Sequence, residues 1–100
     1  MGQVLAALCR FDLRIPGCSS LKEKRHVLKT LIASLRQKFN VAVAEVDHHD
    51  LWQRSAIAVS SVGAQGYQLK KVIREVERHI DTFPAVEVID AQLTLHRADD

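Results

Sequence analysis

The 100-residue sequence is poor in the residues that announce specialised chemistry. It holds two cysteines, four glycines, two prolines, one Trp, one Tyr and three Phe. Four scattered glycines do not make a phosphate-cradling loop, which excludes the common nucleotide-binding turns. Cys9 and Cys18 could form one bridge at most, too little for a disulfide framework or a thiolate metal site. No apolar run approaches the ~20 residues that a membrane span needs. Met1 to Ala7 has no basic opening and merges into a strand pattern, so no secretory leader is expected. Both cysteines are therefore read as free thiols, and a cytoplasmic protein with no membrane contact is expected. The chain also lacks paired acids and any Ser/His/Asp or Cys/His set, so no catalytic residue, no cofactor and no metal is expected.

What is present is enough for one folded unit. With 47% apolar and 26% charged residues, a chain of this length buries roughly 60 to 65% of its unfolded surface and folds as a single domain over residues 1–100. The stretch from Ser20 to Phe39 organises the rest. Leu21, Leu28, Leu31, Ile32, Leu35 and Phe39 recur at helical spacing, with Lys22, Arg25, Lys29 and Arg36 on the other side. Ser20 followed by Glu23 reads as a capping box, the carboxylate reaching back to the Ser20 amide. Six of the fourteen Lys and Arg residues lie in this helix against Glu23 alone, so it carries +5 of a total of +2 and leaves −3 elsewhere. Charge is segregated by element.

Before the helix, Val4 to Ile15 alternates, with Leu5, Ala7, Cys9, Phe11, Leu13 and Ile15 on one face and Val4, Ala6, Leu8, Arg10, Asp12 and Arg14 on the other. Pro16-Gly17 ends that strand. Val41 to Val46 and Arg54 to Val62 read as strands joined by the hairpin Asp47-His48-His49-Asp50-Leu51. Leu69, Val72, Ile73, Val76 and Ile80 mark a second amphipathic helix, with a polar side of mixed sign at Lys70, Lys71, Arg74, Glu75, Glu77 and Arg78. Val86 to His96 alternates again, with Ile89, Ala91, Leu93 and Leu95 assigned to the core and Val86 and Val88 to the opposite face. Arg97 to Asp100 reads as a polar, frayed tail. The order β-α-β-β-α-β implies a ferredoxin-like α+β sandwich, a four-stranded antiparallel sheet with both helices on one face and strand order 4-1-3-2.

Three stretches, SLKEKR (Ser20 to Arg25), KFNVAVAEVD (Lys38 to Asp47) and DLWQR (Asp50 to Arg54), resemble the YlxP-like family of small bacterial proteins. The resemblance covers the whole chain. It implies a ferredoxin-like fold, a bacterial cytosolic setting, and an association with translation and ribosome assembly through RNA. It brings no catalytic residues with it.

Two functional readings follow. In the first the chain is a non-enzymatic module that contacts RNA or the ribosome through Lys22, Arg25, Lys29 and Arg36, since a basic helix start favours phosphate. Lys24 falls near the apolar edge of the helix and is expected to snorkel. In the second the chain homodimerises through the open sheet face, by Val4, Ala6, Leu8, Val86 and Val88. His48 and His49 alternate in direction and read as a polar hairpin tip rather than a metal site. Glu45, an acid within an apolar strand, must face solvent, find a basic partner or stay protonated, and Arg10 and Arg54 on neighbouring strands are the candidate partners. Trp52 is open between a base-stacking platform or interface anchor and a cap on one end of the core.

Overall fold

The first strand, β1 (Leu5–Arg14), alternates apolar and polar residues, and its odd-numbered side chains are buried as that period requires. The computed structural model of the chain describes residues 2–98. After β1 come α1 (Leu21–Lys38), β2 (Ala42–Asp47), β3 (Arg54–Gly63), α2 (Gly66–Asp81) and β4 (Glu87–Arg97). The strands pair in the order β2-β3-β1-β4, all antiparallel. This is the ferredoxin-like sandwich expected from the element order, with β1 and β3 in the middle.

One layer of side chains joins sheet and helices. Ala7, Cys9, Phe11, Leu13, Ile57 and Val59 meet Leu28, Leu31 and Leu35 of α1 and Leu69, Ile73, Val76 and Ile80 of α2. Burial pushes the Cys9 thiol up to about 11, with the Glu77 charge adding to the effect, so the sulfur behaves as a small hydrophobe. Ser34 Oγ lies 2.9 Å from His79 Nε2, which ties α1 to α2, and Phe39 meets the imidazole edge-on at 5.9 Å. No helix among the described residues is long and apolar enough to cross a membrane.

The last strand corrects the sequence reading. Asp12 pairs with Asp90 but Leu13 pairs with Val88, so β4 carries one extra residue, Ile89, against β1. The bulge shifts the phase of the alternation. Val86 and Val88, assigned from the sequence to the open face, instead join the helix-side core. Ile89, Leu93 and Leu95, assigned to the core, remain substantially exposed. Leu93 and Leu95 do point to the helix side, opposite Cys9 and Ala7, but no helix fully covers them. Arg97, read as the start of a frayed tail, closes β4, and the Ala98 N–H donates to the Val4 carbonyl at 3.0 Å. Asp99 and Asp100, the rest of that tail, lie outside the described residues.

Candidate functional site

The start of α1 is fixed by two serines. Ser20 Oγ accepts from the Glu23 N–H at 3.1 Å, as a helix cap should. The Glu23 carboxylate reaches back one residue further than a capping box predicts: it takes the Ser19 N–H at 3.0 Å and the Ser19 hydroxyl at 3.1 Å. With its only acid turned toward the preceding loop, the helix shows an unbroken basic stripe. At about 100° per residue, Lys22, Arg25, Lys29 and Arg36 fall within roughly 60° of arc. Lys22, Arg25 and Lys29 are exposed and form no ion pair among the described residues. Arg36 is partly committed, since its guanidinium donates to the Val43 carbonyl of β2 at 2.7 Å.

Lys24 does something different. Its side chain is 2% exposed, and Nζ lies 3.1 Å from Glu45 Oε2 while donating to the backbone carbonyl of His48 at 2.5 Å and of His49 at 3.4 Å. The Ser55 hydroxyl donates to the same Glu45 oxygen at 2.7 Å. Glu45 lies opposite Ile57 and so points to the helix side, where neither Arg10 nor Arg54 can reach it. The expected partners were wrong for that reason. The same helical wheel contains the missed signal, because Lys24 falls between Leu31 and Leu35, in the middle of the apolar arc rather than at its edge. A charge placed there must meet an acid or stay neutral.

The Lys24 clamp ties the hairpin to the helix. His48, at φ 60°, is in the left-handed region, and its carbonyl is one of those the ammonium holds. The two imidazoles part company. His48 Nε2 lies 3.8 Å from Asp12 on the open sheet face, while His49 Nε2 lies 3.9 Å from Glu45 on the helix side. Arg10 binds Asp12 at 3.1 Å and Asp47 at 3.2 Å on the open face. The His48 backbone N–H, then Arg10, holds the Asp47 carboxyl below its ordinary value. Leu21, Lys24, Arg25, Leu28, Glu45, His49 and Asp50 line a cleft of about 230 Å³ between helix and hairpin.

A family model described as "Protein of unknown function (DUF503)" matches residues 6–93. The chain belongs to the DUF503 family. A relative in Bacillus subtilis (strain 168), "Uncharacterized protein YlxP", is 40% identical over 73 residues, spanning 73% of this chain and 79% of its own. The resemblance seen in the three sequence motifs therefore holds. Among solved structures, the de novo designed protein Foldit4 matches with a TM-score of 0.51 at 9% identity, over 95% of this chain and 96% of its own. A dimeric ferredoxin-like protein of unknown function from Thermobifida fusca gives 0.50 at 12% identity, over 97% and 92%. At such identities the likeness concerns the fold.

In this DUF503 chain the three motifs converge on one end of the molecule. Lys24 of the first grips Glu45 of the second, and Gln53 of the third donates its amide to the Cys18 carbonyl at 3.2 Å, just before α1. Trp52 stands in that third motif and is 50% exposed beside exposed Leu51. It takes no part in the core, so the reading of Trp52 as a core cap is set aside. An exposed indole and a basic helix start are held together through Gln53 and the clamped hairpin.

Proposed function

We propose that the chain is a non-enzymatic module of the bacterial cytoplasm that binds RNA, ribosomal RNA included, through the α1 stripe and Trp52. The observation that carries this reading is the acid-free stripe of Lys22, Arg25 and Lys29, without ion pairs among the described residues, together with exposed Trp52 in the loop that Gln53 ties to the segment before α1. Phosphate neutralisation supplies most non-specific nucleic-acid affinity, and a single indole adds a stacking surface. The outward face of the sheet supports phosphate contact over base reading by the strands. Its central residues, from Ala6, Leu8 and Arg10 on β1 to Ala58, Ser60 and Val62 on β3, include no aromatic ring. Arg36 belongs to the same stripe and contributes less, because Val43 already occupies its guanidinium.

Fluorescence anisotropy of a labelled RNA hairpin over a salt series tests the proposal. Charge reversal of Lys22, Arg25 and Lys29 to Glu is expected to lower the salt slope by about 2 to 3. Trp52→Ala should weaken binding about tenfold without changing that slope. Reversal of Lys70, Lys71 and Arg74 on α2 serves as the control. Equal losses from both helices, or no binding at about 50 mM salt, would reject the α1 interface.

A further inference from the structure

The edge strand β4 presents a bare ladder. It is eleven residues long, lies at the end of the sheet, and pairs only with β1 among the described residues. The bond from the Ala98 N–H to the Val4 carbonyl fixes its phase. Hydrogen-bonded and non-hydrogen-bonded pairs alternate along an antiparallel ladder, so His96, Thr94 and Gln92 turn their backbone groups toward β1. Ala91, Leu93 and Leu95 turn theirs to the open edge. The same residues put apolar side chains on the helix side, where Leu93 and Leu95 stay 38% and 39% exposed. Past the Ile89 bulge, the stretch Asp90–Arg97 is regular.

We infer that two copies of this chain join along that edge, β4 antiparallel to β4 about a two-fold axis at Leu93, making one continuous eight-stranded sheet. The sequence of the strand is self-complementary in this register. Leu93 meets Leu93 of the second copy, and Ala91 meets Leu95, which forms an unbroken apolar row on the helix side. On the other face Gln92 meets Thr94, and the Asp90 carboxylate meets the His96 imidazole, twice by symmetry. A register centred on Gln92 would set Glu87 opposite Arg97. The bulge forbids that pair, because Glu87 lies opposite Arg14 on the open face while Arg97 lies opposite Leu5 on the helix side.

The helix layer has room for such a junction. Leu95 Cδ1 stands 3.4 Å from where a Cβ on Gly66 would sit, so the start of α2 reaches β4, and among the described residues no strand lies beyond β4. Tyr67, next in α2, is exposed beside that contact. A second copy would bring its own α2 to the far side of the row and cover both leucines.

Sedimentation equilibrium on the full chain tests the inference, with a dimer expected at about 100 µM. Leu93→Lys with Leu95→Lys should give a folded monomer, judged by circular dichroism, since charged side chains on an edge oppose pairing. If that variant fails to fold, cross-linking decides. Leu93→Cys sits opposite itself at a Cα separation of about 5.5 Å and should oxidise to a linked dimer. Leu95→Cys, four residues or about 13 Å from its counterpart along the strand, should not. Native Cys9 and Cys18 are buried and stay out of the reaction. A monomeric wild type, a dimer that survives the double lysine change, or equal linking at both positions would overturn the edge pairing. A dimer broken instead by Leu8→Glu would move the junction to the open sheet face.

Discussion

The two edges of the sheet are treated in opposite ways. β2 is six residues long, shifts register between Glu45 and Asp47, and has a carbonyl occupied by Arg36. Its distal end is clamped by Lys24 through Glu45 and the hairpin carbonyls. β4 is almost twice as long and carries exposed apolar side chains along a regular outer ladder. Shortness, a bulge and an edge-bound charge are the devices that keep strands from pairing with strangers. β4 has a bulge too, at Ile89, but it lies near the start of the strand and leaves Asp90–Arg97 regular, so the shortness and bound charge that guard β2 have no counterpart along most of β4.

Breaking the clamp should have the largest effect on this contrast. Lys24→Met leaves the Glu45 carboxylate without its ammonium in a site where only 22% of the side chain is exposed, and is expected to cost about 3 kcal/mol. Adding Glu45→Leu should recover much of that loss in urea melts, because no lone charge remains. A Lys24→Met loss below about 1 kcal/mol would mean that the clamp contributes little.

Truncation sharpens the same comparison. Val43→Ala on β2 removes a buried side chain and should cost about 2 kcal/mol. Leu93→Ala on β4, measured on dilute protein, should cost less than about 1 kcal/mol, since much of that side chain is already in water. Equal costs would erase the distinction between the edges. Ser20→Ala, which loosens the helix start from which Lys24 reaches the hairpin, is expected to cost about 1 kcal/mol in the same melts. The smallest effect belongs to His79, which packs α1 against α2. Burial, and after it the Lys38 charge, holds its pKa below the ordinary 6.5. The unfolded chain therefore binds a proton at a pH where the folded one resists it, and stability should decline as pH falls from neutrality through that value. In His79→Gln the decline should be shallower when melting temperatures are compared across pH.

Most of the fold was legible because it is written in periods of two and 3.6. β1, α1, β3 and α2 fall within a residue or two of where their patterns place them, apart from the first turn of α2 before Leu69. β4 was placed correctly, but its faces were not. A strand pattern shows alternation without showing where the phase jumps, and Ile89 carries no mark such as glycine that would betray a bulge. The basic stripe was legible as charge without acid. The Glu45 partner was not, because strand alternation points only to strand neighbours, whereas the residue that meets Glu45 is Lys24 on the helix above it. Placing Lys24 at the apolar edge of the helix understates its burial, because it lies among Leu28, Leu31 and Leu35.

The extra residue at Ile89 makes this strand intolerant of changes in length. Loops absorb a lost or gained residue by local adjustment, but here the lost residue is a spacer between two runs of opposite parity. Deleting Ile89 would force one run to turn over. Either Val86 and Val88 would leave the core for water, or Ala91, Leu93 and Leu95 would rotate onto the far side of the sheet and take the matching edge of any second copy out of alignment. A single codon at this point therefore governs both the interior of the fold and the surface on which two molecules could meet.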